Sequence, residues 1–462
     1  MMRYWVLTIA SLVLTLIFAN GALFHFTVIC MEHGEEPAIS SNATVDSGFT
    51  TNQESILFGA LSFGCIIGNY PTVKLFDMYG FKNTFSGFSI LSAIGTLFVP
   101  MLGHNFWVIL ADRIIQGFAL SAAFLAFGIV PADTAYQKEL SLFVSLLTCS
   151  LQLGPCFIMP VSGFFCSSSI GWEGAYYASG LITILVTIVF HFTYKKTPQL
   201  ADKSSSATES STANFANTKI SPEDLEESND KKVVEVQDSE KSESQSVSSK
   251  EEVPLREILK CPSVWGIMII AFGDTIGYQT FLLYGPIYIN KALGYDVAQT
   301  GLLSAMPYII SIVTKTFGGV FLDRATCIKE QMRVLLFTFA SQAAMTACFL
   351  VLTQMTPELA FIGQSMLTLM MVFSGLAFIG LMSGCQIICQ QYNYLVTSAL
   401  AIQDSLGGLL VPALVAMIAP NYTNDEWKLV YFILTALLTA TNIFFVVLTK
   451  VKPAKWTNKQ LK

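Results

Sequence analysis

Charge is scarce in this chain: Asp, Glu, Lys and Arg make up 13% of its 462 residues, about half the share of a soluble domain. What charge there is leans acidic, with 32 Asp and Glu against 26 Lys and Arg. No basic surface of the kind that grips nucleic acid can be built from that balance. Ten cysteines, most of them inside apolar stretches, are too sparse for a disulfide scaffold. No G-x-G-x-x-G, G-x-x-x-x-G-K-S/T, H-E-x-x-H or G-x-S-x-G occurs. The common phosphate, zinc and nucleophile devices of enzymes are therefore missing, and so is the phosphate loop of an ATP-driven pump. Neither an enzyme nor a cofactor-dependent protein is expected.

Long apolar runs are what the chain does have. A bilayer core about 30 Å thick needs about 20 apolar residues in helical form. Twelve stretches qualify: 5–30, 53–73, 84–103, 107–130, 140–165, 173–194, 264–289, 300–322, 334–353, 359–383, 397–419 and 427–449. The first is about twice as long as a signal-peptide core and lacks a small-x-small cleavage site, so it reads as an uncleaved span. The expected fold is an all-α membrane protein.

Lys and Arg set the orientation. With the N-terminus inside, the inner segments hold 22 of the 26. The outer loops hold Lys291 and Lys428, and Arg113 and Lys315 lie within spans. Without the long central loop the inner count is still 12 against two, so both termini are expected to be cytoplasmic. The two Asn-x-Ser/Thr acceptors, Asn42 and Asn421, both fall in loops placed outside, as a glycoprotein requires.

Residues 201–254 break the apolar pattern with 13 Ser, 13 acids and six Lys, one Phe and no Trp or Tyr. Such a stretch cannot bury enough apolar surface to fold and reads as a disordered tether. The expected organisation is a six-helix half at 1–196, an acidic Ser-rich cytoplasmic linker at 197–254, and a second six-helix half with a short basic tail at 255–462. The halves echo each other. Asp77-Met78-Tyr79-Gly80-Phe81-Lys82 follows the second span, and Gly319-Val320-Phe321-Leu322-Asp323-Arg324 follows the eighth. Each places an Asp and then a cation at the inner mouth of its half, where a carboxylate can hold an inner gate. Two repeated halves are a recurrent plan of secondary transporters.

These segments resemble the major facilitator superfamily: Asp77 to Lys82 and Asp323-Arg324 are similar to its inner-loop signature, and Arg113-Ile114-Ile115-Gln116-Gly117 to its R-x-x-Q-G motif. Further stretches resemble the organic-anion and phosphate transporter family of sialin, the vesicular glutamate transporters and the type I sodium/phosphate cotransporters. They are Gln152-Leu153-Gly154 through Pro160-Val161-Ser162-Gly163, Gly171-Trp172, Tyr176-Tyr177-Ala178-Ser179-Gly180, Pro262-Ser263-Val264-Trp265, Phe272-Gly273, Gly277-Tyr278 and Leu302 to Tyr308. The resemblance implies two pseudo-symmetric six-helix halves and transport of anions. It departs from the family at three places: Gly21 stands where the first helix usually has Arg, Leu120 where the fourth has Glu, and Ile387-Ile388-Cys389-Gln390 where an N-H-x-D stretch is usual. Those family groups are implicated in substrate and cation coupling, so neither cargo nor coupling ion can be inherited by likeness.

A charge within hydrocarbon costs at least ~2.5–3.5 kcal/mol, which makes each intramembrane ionisable residue a functional candidate. Arg113, in the fourth span, can hold a carboxylate or phosphate through two parallel hydrogen bonds; alternatively it pairs with a helix end or a buried acid. Asp112 beside it points elsewhere, since neighbours on a helix do not share a face. His25, in the outer half of the first span, changes charge near neutral pH and suits proton linkage, or is a packed core residue. Asp274, Lys315 and Asp404 lie in the seventh, eighth and eleventh spans, where one acid pairing with Lys315 would lower the expense of both. The expected function is a secondary active symporter of a small organic anion or phosphate, coupled to H+ or Na+, with Arg113 and His25 at the substrate and Asp274, Lys315 and Asp404 at the ion. The alternative is a non-transporting sensor or scaffold that keeps the fold. The four residues ahead of the first span leave no room for an acidic dileucine signal, which favours the plasma membrane over lysosomal or vesicular membranes.

Overall fold

Lipid offers a backbone no hydrogen-bond partner, so each apolar run closes its own ladder as a helix. A computed structural model describes residues 2–31, 49–102, 105–134, 143, 146–195, 255–324, 328–454 and 456–457. The proposed linker, Asn42, His33, His104 and Lys138 lie outside the described residues. Twelve helices among those described are long and apolar enough to cross a membrane. They are α1 (Met2–Met31), α2 (Thr51–Tyr79), α3 (Phe81–Leu102), α4 (Phe106–Thr134), α5 (Ser150–Cys166), α6 (Glu173–Thr193), α7 (Pro262–Ile287), α8 (Val297–Arg324), α9 (Glu330–Leu352), α10 (Ala360–Cys389), α11 (Asn393–Ile418) and α12 (Asn424–Leu448). Packing gathers Met1–Thr197 and Cys261–Lys462 into one unit; Pro198–Lys260 forms another, described only by the one-turn helix Leu255–Leu259 and its flanking Lys260. The turns after α1, α3, α5, α7, α9 and α11 share the face termed outer, following the charge asymmetry.

Several helices outrun their apolar cores. α2 continues to Tyr79, so Asp77 lies in its last turn and not in a loop beyond it. Gly80 stops the helix at φ 78°, a left-handed conformation that costs glycine little. α10 likewise continues to Cys389. Five threonine hydroxyls inside the bundle are satisfied locally: Thr27, Thr72, Thr96, Thr183 and Thr280 each donate to the carbonyl four residues back. Beyond Pro286, which has no N–H to give, α7 widens into a π turn at Tyr288–Ala292.

The two halves repeat in their packing. In the first, Asn20 of α1 donates to Ser92 of α3 at 3.4 Å and Thr183 of α6 at 3.2 Å, and accepts from Ser179 of α6 at 2.6 Å. In the second, Gly273 of α7 faces Gln342 of α9 and Thr441 of α12. The first, third and sixth helices of each half thus meet at polar side chains, hydrogen-bonded to one another around Asn20 in the first half, whereas both polar atoms of Gln342 in the second are buried without a partner. At the outer ends of α1 and α5, Cys30 and Cys166 form a disulfide with Cα atoms 5.9 Å apart. Sparse cysteine did exclude a scaffold, but it concealed this one bond.

Candidate functional site

The site in the first half is assembled by glycine. Gly117 of α4 lies against the backbone of Leu61, Gly64 and Cys65 on α2, and Gly64 lies in turn against Ile114. Neither position has room for a side chain, so the two helices approach backbone to backbone. That contact, one turn from Arg113, delivers the guanidinium to α1 and α2. Arg113 is 1% exposed. Its Nη1 donates to the Gly21 carbonyl at 2.9 Å and to Gln116 Oε1 at 3.1 Å, and its Nε donates to the Leu57 carbonyl at 3.4 Å. Nη2 meets His25 Nε2 at 3.0 Å, and the Phe24 ring lies 5.3 Å from Cζ. With His25 accepting at Nε2, its proton is on Nδ1, which is buried without a partner.

Neither partner expected for Arg113 from sequence is the one found. It reaches carbonyls within α1 and α2, not a helix end. No carboxylate lies within 4.0 Å of it among the described residues. Asp112 points away toward Gly95 of α3, as its place on the helix requires. A buried positive charge is thus held entirely by neutral acceptors, with one N–H of Nη2 still unused.

Above this site the halves are joined across the outer face. The His25 ring stands edge-on to Phe58 at 5.2 Å, and Phe58 to Tyr284 of α7 at 5.1 Å. Ser55 Oγ and Tyr284 Oη are 2.9 Å apart. Thr51 Oγ1 donates to the Pro420 carbonyl at 2.6 Å, and Tyr422 Oη donates to Glu54 Oε2 at 2.7 Å. Glu54 is 2% exposed and sits in the first turn of α2, placed by a capping box between Thr50 and Gln53. It was not singled out from sequence, although an acid four residues into a helix that starts a span is the available signal. A hydrogen bond to a charged group contributes about 1.5–3 kcal/mol, or roughly a 10- to 150-fold bias. Tyr422→Phe is therefore expected to loosen the outer seam by a factor in that range. A cysteine placed at Gly59, which faces Leu409 across the seam, would be alkylated correspondingly faster from outside; an unchanged rate would refute the latch.

The second half brings Asp274, Lys315 and Asp404 into one electrostatic neighbourhood. Asp274 is 9% exposed, with Ser374 of α10 against its carboxylate and Oδ1 buried without a partner. Gln279 Nε2 donates to Asp404 Oδ1 at 3.4 Å. The ion pair expected of Lys315 is not formed: neither acid lies within 4.0 Å of its ammonium, which sits 5.4 Å from the Phe378 ring centre. Its stem lies against Gly375, where any side chain would meet it.

The remaining candidates are dispersed. Asp77 is exposed at the inner face, with no hydrogen-bond or ion-pair partner among the described residues. Gly80 and Lys82 flank the α2–α3 corner, and Gly319, Asp323 and Arg324 occupy the last turns of α8. Asn421 is exposed on the α11–α12 turn, where its Nδ2 donates to Glu426 Oε1 at 2.9 Å.

Comparisons with known proteins agree with this architecture. Sodium-dependent phosphate transport protein 1 of Mus musculus is 20% identical over 473 residues, covering 96% of this chain and 92% of the relative. Sialin of Homo sapiens is 23% identical over 434 residues, covering 92% of this chain and 81% of its own length. The crystal structure of a D-xylose-proton symporter superposes with a TM-score of 0.68 at 15% identity, over 96% of this chain and 98% of that one. The Major Facilitator Superfamily model matches residues 4–403: the chain belongs to that superfamily and is a multi-pass membrane transporter, not an enzyme.

Proposed function

We propose that the chain is a secondary active carrier of a small organic anion or of phosphate, moved with H+ or Na+ by alternating access. The observation that carries this reading is the state of Arg113. A buried charge is normally paired, and this one has only neutral acceptors and one donor left over. An anion that replaced His25 at Nη2 would supply the missing negative charge, and a two-pronged grip would add a parallel N–H from a neighbouring nitrogen, now given to Gln116 or Leu57. Relatives whose names refer to phosphate, urate and glutamate support an anionic cargo. Asp274, Lys315 and Asp404 would bind the co-transported cation, and Asp77, Gly80, Lys82, Gly319, Asp323 and Arg324 would form the inner gate. Asn42 and Asn421 would accept glycans on the outer side. The Cys30–Cys166 disulfide lies on that same side, in keeping with an oxidising compartment there, and the plasma membrane is the favoured location.

The test is uptake of phosphate, urate, glutamate, sialate and short dicarboxylates into proteoliposomes under imposed gradients. Gradient-driven uptake that depends on Arg113 supports the reading. Folded, correctly oriented protein that moves none of them favours the second reading, a sensor or scaffold. That reading is favoured by Gly21, Leu120 and the Ile387 to Gln390 stretch, where residues tied to coupling in the resembling family are absent.

A further inference from the structure

We infer that the segment after α12, residues 449–454 and 456–457, is a strap that clamps a strained corner between α10 and α11 and so holds the outer seam shut. The inference rests on the proposed alternating access, but on no particular cargo.

The corner is a single 3-10 turn, Gln390–Tyr392, between the end of α10 at Cys389 and the start of α11 at Asn393. Gln390 has φ 43° and ψ −117°, a conformation that glycine alone adopts cheaply. Such a residue persists where its surroundings over-determine it, and residues of this kind gather at switches. Here the segment after α12 brackets it. The Ala454 N–H donates to the Ile388 carbonyl at 3.1 Å, two residues before Gln390. The Trp456 ring lies 5.6 Å from that of Tyr392, two residues after it.

The strap is anchored along the inner face of the second half. The Lys450 N–H donates to Ser263 Oγ of α7 at 3.0 Å, and the same hydroxyl donates to the Lys450 carbonyl at 3.3 Å. Val451 is buried with Leu322 of α8 and Val334 of α9, in a cluster that Ile379 and Ile387 of α10 flank. Thr457 Oγ1 donates to the Ala454 carbonyl at 2.7 Å, closing the turn that seats Trp456. Trp456 is 5% exposed; a merely solvated tail would not bury an indole. The seat is the stretch Ile387 to Gln390, where the resembling family has N-H-x-D. In this chain it supplies an apolar contact, a free carbonyl and the strained residue.

The corner reaches the seam through α11. That helix carries the second half's contacts with α2: Ser405 Oγ donates to Cys65 Sγ at 3.6 Å, Gly408 lies against Ser62, and Leu409 against Gly59. The corner sets the direction in which α11 leaves α10. With the strap lifted, Gln390 can relax, α11 changes direction, and its contacts with α2 loosen.

The experiment reads two cysteines in full-length protein in right-side-out vesicles. Cys389 is 0% exposed beside the strap's seat. α10 is 30 residues long, about 45 Å, so its last turn projects past a core about 30 Å thick, where water reaches the thiol once the strap lifts. A membrane-permeant maleimide labels Cys389, and an impermeant one labels Gly59→Cys from outside. Trp456→Ala and Ala454→Pro, which lacks the N–H, should each speed both reactions, by roughly 5- to 150-fold at Cys389, the range set by release of a strained residue. Trp456→Phe and Ala454→Gly keep ring and N–H and should stay near wild type. Cys348, buried toward the outer end of α9, should not change, which separates a lifted strap from unfolding. Gln390→Gly removes the strain, so in that background Trp456→Ala should have a much smaller effect on the seam. A seam that no background opens would refute alternating access, and the inference with it. A seam that opens in wild type but no faster in Trp456→Ala would overturn the strap and leave alternating access standing. So would an effect of Trp456→Ala undiminished by Gln390→Gly.

Discussion

Arg113→Met is expected to abolish anion uptake while leaving thermal stability unchanged or raised. The two effects separate because they come from different parts of the same side chain. As a buried charge with no carboxylate partner, the guanidinium costs the fold free energy, and its four bonds to neutral groups offset only part of that cost. An apolar side chain of similar length removes the penalty and fills the space. Removing one partner of a buried, hydrogen-bonded charge pair costs about 2–5 kcal/mol of binding, equivalent to roughly 30- to several-thousand-fold in the ratio of maximal uptake rate to KM. Arg113→Lys keeps the charge but cannot span Gly21, Leu57, Gln116 and His25 at once, so it should fall between Met and wild type. Thermal melting in detergent and uptake in proteoliposomes, measured on the same preparation, check the pair. A Met variant that melts well below wild type would assign Arg113 to structure and favour the scaffold reading.

The helices were legible in the sequence because the membrane imposes one rule on every run of about 20 apolar residues. Their ends were not. Hydropathy marks where lipid stops, whereas α2 runs on through polar residues until Gly80 turns it. Arg113 could be picked out by its charge and motif. Its partners could not, because the carbonyls of Gly21 and Leu57 belong to no residue type and become ligands only once Gly64 and Gly117 let the helices close. The acids and the lysine of the second half were each visible, but residue identity does not tell a direct ion pair from charges held apart beside a glycine notch. Cys30 and Cys166 are 136 residues apart, and only the packing of α1 on α5 marks them as a pair. Glu54 gains meaning from Tyr422, which reaches it from a turn that holds Tyr422 at φ 53°, a conformation side-chain type does not announce.

Gly117→Leu is expected to cost both stability and transport, the opposite of the dissociation predicted at Arg113. A Cβ at this position would stand 2.6 Å from Gly64 Cα and 2.7 Å from Cys65 N, and closer still to the Leu61 carbonyl. These are backbone atoms within a helix, so they cannot rotate away as a side chain does; α4 must move off α2. Even Gly117→Ala should destabilise by about 1–3 kcal/mol, the usual range for overpacking, and Leu by more. The displacement reaches function because Arg113 is one turn away on the same rigid helix, and its bonds at 2.9 and 3.4 Å to Gly21 and Leu57 have no slack for a shift of an ångström. Gly128 provides the comparison on the same helix: a Cβ there meets nothing within 4 Å. Gly128→Ala should therefore be neutral or stabilising by up to about 1 kcal/mol, since alanine replaces a poor helix former. Melting temperature and uptake should fall together for Gly117→Ala and hold together for Gly128→Ala. If Gly117→Ala melts and transports like Gly128→Ala, the α2–α4 backbone contact does not position Arg113, and the guanidinium must be held in place by its own hydrogen bonds alone.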